Sequence, residues 1–339
     1  MSVLYFLESI RCSALDVFFS VITLFGEETA LLAIGLIVFW CVDKYKGYYL
    51  LSVGFIGIII NQTLKMICRV PRPWVKDPNF TIVESAREAA TGYSFPSGHT
   101  QSSVGLLGCV AKITTLKVLR WGAVALAVLV PISRMYLGVH TPYDVVVSLG
   151  IATLLVFILH PFFANEERFE RSFPWIVGIA TIFALGLLIY VNLLPSSIDG
   201  VEQIYIDSYA QNIESARKNA ATLFGCMAGL LVVYPIDRLY TRFKTEARWY
   251  AQVIKLVLGL GLVILIKSVM QAPLEAVVGL FCDTPAHIAR GIRYFLIVIF
   301  AGGVWPLTFS SFAKMQIHAL DSLGEKVRSW FVKTDTPST

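Results

Sequence analysis

The stretch from Lys65 to Asp144 contains KMICRVPRP (65–73), FPSGHT (95–100) and SRMYLGVHTPYD (133–144), three polar islands in an otherwise apolar sequence. They supply three cations (Lys65, Arg72, Arg134), two histidines (His99, His140), one carboxylate (Asp144) and a Ser97–Gly98 pair placed to start a helix. Around them run apolar segments approaching the roughly 20 residues a helix needs to cross a bilayer. The fold class expected is all-α: a polytopic transmembrane helix bundle with the islands at the ends of spans.

Composition agrees with that expectation. Only 15% of the 339 residues are charged, against about 25% in soluble domains. The deficit is spread over the whole length, which argues against a single oily anchor on a soluble body. The net charge of +5 would raise nucleic acid as a partner for a soluble protein. Here basic loops between spans account for it, and no nucleic-acid partner is expected. Six cysteines (Cys12, Cys41, Cys68, Cys109, Cys226, Cys282) stand singly without CxxC spacing, so neither a metal site nor a disulfide framework is indicated. Residues Met1 to Phe25 lack a basic start and a small-residue cleavage site. They are expected to form an amphipathic interfacial helix over Val3–Leu24, not a removed signal.

Nine spans are expected, at about 29–42, 47–68, 98–112, 121–137, 141–163, 173–194, 219–236, 250–270 and 291–312. Pro71 and Pro73 end the second span, which carries Asn61 and Lys65 on one face. The connection of about 70–96 is long for a compact membrane protein unless it covers something. Ser97 suits an N-cap. Thr141, Pro142 and Asp144 suit the N-cap, first and third positions of a capped helix. Residues 196–218 are expected to form a short amphipathic helix. Three segments follow: a core holding the three islands over 1–165, an added four-span region over 166–313, and a polar cytoplasmic tail over 314–339.

The basic loops set the orientation. Lys44 and Lys46, Lys117 and Arg120, Arg168 and Arg171, and Arg238, Arg242, Lys244 and Arg248 all fall on one side of this layout. The positive-inside rule makes that side cytoplasmic, so the islands face the extracytoplasmic side.

Each island has a plain reading beside a chemical one. A single cation at a span end often snorkels to the interface. Three converging beside two histidines suit an anion, with arginine offering a bidentate fork and lysine a point charge. The helix start at Ser97-Gly98-His99 points backbone N–H groups at an anion, and Gly98 lets it come close; an ordinary capped helix fits the same residues. An imidazole at His140 would be oriented by Asp144 one turn on, which also suits the capping box. His160, His287 and His318 are given no partner and no chemistry. Lys255 is the one charge placed near a midplane.

The spacings KxxxxxxRP, PSGH and SRxxxxxHxxxD resemble the three motifs of the type-2 phosphatidic acid phosphatase superfamily, over about residues 10–163. The resemblance implies that Lys65, Arg72 and Arg134 grip a phosphate with Ser97 and the Gly98 N–H. His140 would attack phosphorus, Asp144 would orient it, and His99 would protonate the leaving oxygen and then activate water. It implies no cofactor, and no divalent metal, because three cations neutralise the developing charge.

The substrate expected is a lipid phosphate or diphosphate in the outer leaflet. A nine-span layout is similar to glucose-6-phosphatase, which keeps a sugar phosphatase open as an alternative. A phosphotransferase is another alternative, and a lipid transporter a remote one. The added spans are open between a lipid access gap, a homodimer interface and a second ligand site. The expected location is a bacterial plasma membrane.

Overall fold

A computed structural model describes residues 1–198, 203–281 and 285–322. No strand occurs among them. The helices run in order α1 (Ser2–Ser9), α2 (Ser13–Thr23), α3 (Glu28–Ile37), α4 (Lys44–Cys68), α5 (Pro73–Lys76), α6 (Gly98–Ile113), α7 (Lys117–Tyr136), α8 (Pro142–Leu159), α9 (Glu166–Leu193), α10 (Gln203–Ile236), α11 (Trp249–Val269), α12 (Gln271–Gly279), α13 (Pro285–Ile299) and α14 (Phe309–Lys314). The expected helical membrane bundle is what forms.

Helix α4 is the axis. Its 25 residues extend about 37 Å at 1.5 Å each, enough to cross a hydrocarbon core of about 30 Å. Asp43 caps its start, accepting from the N–H groups of Tyr45 (2.9 Å) and Lys46 (3.1 Å). Arg69, at φ 48°, turns the chain out of the helix ahead of Pro71. Helices α6, α8, α9 and α10 pack around it, burying Tyr48, Tyr49, Leu50, Val53 and Met66. The periphery faces the other way: Trp175, Ile182 and Leu193 on α9 are 74%, 71% and 79% exposed. Apolar surface on that scale would be unstable in water and suits lipid.

Among the described residues, seven helical segments are long and apolar enough to cross a membrane, and they contain seven of the nine expected spans. The stretch 29–42 joins α2 across a 54° bend at Gly26–Glu28, making an eighth if the pair counts as one span. The stretch 98–112 lies in α6, whose 16 residues fall short of a full crossing and whose first turns carry Thr100, Gln101, Ser102 and Ser103, all buried.

Two local expectations are corrected. The N-terminal region is not one helix: it breaks at Ile10–Cys12 into α1 and α2. Arg11 fills the break, donating to the carbonyls of Tyr136 (3.1 Å) and Thr81 (3.0 Å). The amphipathic piece before the seventh span is not separate either. It is the first half of α10, which runs unbroken for 34 residues. Helix α10 crosses α13 closely: a Cβ built on Gly225 would fall 2.1 Å from the Gly291 carbonyl oxygen.

The expected basic loops gather at one end. Lys44 pairs with Asp237 at 3.1 Å and Arg238 with Glu170 at 3.1 Å, joining the starts of α4 and α9 to the end of α10. Lys65, Gly98 and His140 lie at the opposite end of α4 and its neighbours. Lys255 is structural: its ammonium donates to the carbonyls of Trp40 (2.7 Å) and Thr245 (3.1 Å) and lies over the Phe309 ring. The five described cysteines are free; Cys282 and residues 323–339 of the tail lie outside the described residues.

Candidate active site

The three islands meet because the segment Thr91–Ser97 ties them together. Ser94 N–H donates to the Val70 carbonyl at 2.8 Å, and Ser97 N–H to the Asp144 carbonyl at 3.1 Å. Asn61 Nδ2 donates to the Pro96 carbonyl at 3.2 Å, and the Lys65 ammonium donates to the Tyr93 carbonyl. Arg72 reaches the same segment, donating from Nε to Gly92 (3.0 Å) and from Nη2 to Thr91 (2.7 Å). Gly92, at φ +71°, supplies the left-handed turn that presents these carbonyls, a conformation glycine adopts without a Cβ penalty. The long connection thus does cover something: it buries the ends of two cationic side chains.

Lys65, Arg72, Gly98, His99 and His140 line one cavity of about 380 Å³. All five were expected at a site from sequence. Three other expected residues stand outside that lining. Ser97 is fully buried and caps α6, its Oγ 3.4 Å from Thr100 N and 2.9 Å from Thr100 Oγ1. Arg134 is fully buried; its Nη1 donates to Thr23 Oγ1 at 2.8 Å, while Nε and Nη2 have no partner among the described residues. Asp144 completes the expected capping box with Thr141.

The histidine and its carboxylate are arranged more loosely than a tight dyad. His140 Nδ1 lies 3.6 Å from Asp144 Oδ2, beyond hydrogen-bond range. That oxygen instead accepts from Ser94 Oγ (2.6 Å) and Thr141 N–H (2.7 Å). The other ring nitrogen, Nε2, sits 3.0 Å from Arg72 Nη1. Burial first, and then the Arg72 cation, hold the His140 imidazole well below the usual histidine range, with Asp144 pulling the other way. The ring is therefore neutral at pH 7. Its Nε2 carries a lone pair toward the cavity, and the Arg72 N–H currently occupies that lone pair.

His99 Nε2 is buried without a partner, and Gly98 and His99 contribute the first N–H groups of α6, which no helical carbonyl can reach. Like the unpartnered guanidinium nitrogens of Arg134, which lies outside that lining, these groups have a polarity complementary to an oxyanion.

Several residues in or beside the lining were not picked out from the sequence. Ser94 holds Asp144, yet a serine two residues before a proline carries no distinguishing signal. Gly26, Glu27, Glu28 and Thr29 at the α2–α3 bend line the cavity, as does Asn219 of α10. Gly26 lies so close that a Cβ there would sit 2.9 Å from His99 Cβ and from the His99 carbonyl oxygen. His287, given no partner from sequence, in fact lies 3.2 Å from Glu214, outside the cavity lining.

Comparison with known proteins follows the same residues. The chain is 30% identical over 109 residues to undecaprenyl-diphosphatase BcrC of Bacillus subtilis (strain 168), covering 32% of this chain and 53% of that protein. It is 22% identical over 266 residues to sphingosine-1-phosphate phosphatase 1 of Mus musculus, covering 75% of this chain and 59% of that protein. It is 27% identical over 128 residues to phosphatidylglycerophosphatase B of Bacillus subtilis (strain 168), covering 35% and 62%. The chain thus spans between about half and three-fifths of the length of these relatives. No solved structure matches it. The model of the PAP2 superfamily matches residues 45–168, which hold all three islands. That of the PAP2 superfamily phosphatase transmembrane extension matches 219–316. By motifs, helical architecture and these two matches together, the chain belongs to the PAP2 superfamily.

Proposed function

We propose that this protein is an integral membrane phosphatase that hydrolyses a lipid phosphate or diphosphate monoester through a phosphohistidine intermediate. The observation that carries the reading is the single cavity lined by Lys65, Arg72, Gly98, His99 and His140. Its volume holds a polar headgroup, and the acyl or prenyl tail stays in the bilayer. The relatives named for lipid phosphates and diphosphates support that substrate class over a sugar phosphate.

In this reading Lys65, Arg72 and Arg134 hold the phosphoryl oxygens, with the Gly98 N–H and Ser97 at the start of α6. His140 Nε2 attacks phosphorus as the ester bond breaks, and the leaving oxygen takes its proton from His99. The Asp144 carboxylate, 3.6 Å from Nδ1, favours the cationic ring that forms on phosphorylation. Water, deprotonated by His99, then displaces His140 and releases inorganic phosphate. The cations neutralise the charge that develops on the oxygens, so no divalent metal is needed. The catalytic core lies within residues 1–165, and 166–313 are an added helical region. The positive-inside rule puts the cavity on the extracytoplasmic face of a plasma membrane.

The test is phosphate release by purified, detergent-solubilised protein from a panel of lipid and sugar phosphates. Release from lipid phosphates, lost in His140→Ala with the helical spectrum intact, is expected. Turnover of glucose 6-phosphate in preference to every lipid would overturn the substrate class.

A further inference from the structure

One wall of the catalytic cavity is shared by two distant parts of the chain. Glu28 and Thr29 at the start of α3 line it, and Asn219 of α10 lines it from the added helical region. Helix α3 itself packs on α4 and α6. It is pinned to the added region at the opposite, basic end. There Trp40 Nε1 donates to the Ala301 carbonyl (2.9 Å) and Lys255 Nζ to the Trp40 carbonyl (2.7 Å), and a Cβ on Gly259 would fall 2.7 Å from Trp40 Cζ3. Away from that pin, Glu28 lies twelve residues along α3, Arg290 eleven along α13, and Lys267 eight along α11. At 1.5 Å per residue these are about 18, 16 and 12 Å, which brings the three side chains toward the level of the cavity. Glu28 faces both cations, yet among the described residues no ion pair joins them. The seam between α3 and the α11–α13 pair is fastened at one end and unfastened beside the cavity.

The cations on the far side of the seam form a group. Arg290 and Arg293 flank the Tyr294 ring, 5.5 and 5.7 Å from its centre. Arg293 donates from Nη1 to Gln271 Oε1 (2.8 Å) and to the Lys267 carbonyl (3.2 Å), which sets it beside Lys267. It is 5% exposed, and its Nε has no acceptor among the described residues. Arg290 donates from Nε to Thr222 Oγ1 (2.8 Å). Among the described residues no carboxylate pairs with any of the three. Nearby acids are engaged elsewhere: Glu275 accepts from Gln271 (3.2 Å), and Glu214 lies between Lys218 (3.1 Å) and His287 (3.2 Å). Three cations facing one carboxylate are costly in a membrane-spanning region and mark a path or site for an anion.

Resting on the phosphatase reading above, we propose that Lys267 and Arg290, backed by Arg293, receive the phosphate headgroup of the incoming lipid at a lateral entrance between α3 and the α11–α13 pair. An anionic head crossing an apolar seam would otherwise travel without counter-charge. Glu28 balances the two cations while the entrance is empty and yields them to the phosphate. The headgroup then passes Asn219 to Lys65 and Arg72, and its chain stays in the bilayer. Lys267 and Arg290 thus act on capture of the lipid and not on phosphorus.

The test measures phosphate release by the purified full chain in phosphatidylcholine vesicles, from octadecyl phosphate and from water-soluble p-nitrophenyl phosphate. Lys267→Gln replaces an exposed side chain, and Arg290→Gln keeps an amide able to donate to Thr222, so both variants are expected to fold. Each should raise KM for octadecyl phosphate about tenfold with kcat unchanged, the effect of one charge-assisted hydrogen bond in binding. Lys267→Arg should behave as wild type. For p-nitrophenyl phosphate, which arrives from water, neither variant should change kcat/KM. An equal loss on both esters, or no change on octadecyl phosphate in the double variant, would overturn the entrance while leaving the phosphatase reading standing. A loss confined to vesicles containing phosphatidylglycerol would assign the cations to a resident anionic lipid and overturn it too. Folded wild-type protein that releases phosphate from neither ester would overturn the phosphatase reading itself.

Discussion

Arg72 Nη1 lies 3.0 Å from His140 Nε2 and 2.9 Å from the Val139 carbonyl oxygen. The cation proposed to grip the phosphate therefore also fixes the ring proposed to attack it. A phosphate that enters must take over the Arg72 N–H, and in doing so it frees the Nε2 lone pair at the moment phosphorus arrives. Lysine cannot reproduce this, since it has neither the fork nor the reach to Thr91, Gly92 and Val139 together. Arg72→Lys is expected to lower kcat/KM by about 10- to 100-fold, measured by phosphate release. Recovery of wild-type activity with lysine would show that charge alone is needed there.

The two imidazoles should separate in a trapping experiment. With labelled substrate, His140→Ala is expected to form no phosphoenzyme. In His99→Ala turnover should fall by about 10²- to 10⁴-fold, the usual worth of a positioned acid and base. Any phosphoenzyme formed should be acid-labile, as a phosphohistidine is. Acid-stable label retained in His140→Ala would point to a different nucleophile.

Acid tolerance follows from the sign of the shift at His140. Its folded-state pKa is depressed by burial and by Arg72, so the nucleophile stays deprotonated as pH falls through the ordinary histidine value of about 6.5. The acid limb of kcat/KM should therefore lie below pH 6.5. Asp144 opposes the depression, so Asp144→Asn should move that limb to still lower pH while reducing kcat. A limb that moved upward in Asp144→Asn would contradict the arrangement seen here.

Two glycines should respond differently to the same methyl group. A Cβ on Gly98 would meet only Asn61 Oδ1, at 3.7 Å, so Gly98→Ala should fold normally. It should lose activity because the methyl occupies space a phosphate would use. A Cβ on Gly26 would press on His99 and Val130 at 2.9 Å, so Gly26→Ala should lower the melting temperature as well as the rate. Activity in Gly98→Ala equal to wild type would remove the helix start from the phosphate site.

Metal chelators offer a simple control. Incubation with EDTA followed by gel filtration should leave phosphate release unchanged, because Lys65, Arg72 and Arg134 supply the charge a metal would otherwise bring. Activity lost to EDTA and restored by a divalent cation would require a different charge balance at the site.

The sequence was informative wherever a side chain announced its own chemistry. Lys65, Arg72, His99 and His140 were legible because charged and titratable groups are rare in apolar sequence, and the capping box at Thr141–Asp144 because its spacing is local. What the sequence concealed was mostly backbone. The carbonyls of Thr91, Gly92 and Tyr93 hold two of the cations, and any residue would provide them. Ser94 reaches Asp144 across fifty positions. Asn219 comes from a helix whose first half is polar enough to read as a separate amphipathic piece. The bend at Gly26–Glu28 was visible as a break, but nothing local showed that it would close the wall of the site.

The tether made by Thr91–Ser97 has a mechanical meaning. Fastened to α4 through Asn61 and Lys65, to Arg72 beyond it, and to α8 through Asp144, this strap turns three helix ends into one rigid frame. A frame braced at these points suits a site filled sideways from the surrounding lipid, the route open to a lipid phosphate of the kind proposed. Catalytic speed would then depend on how crowded the bilayer is with substrate, and diluting that substrate with inert lipid should slow turnover as directly as lowering its total amount.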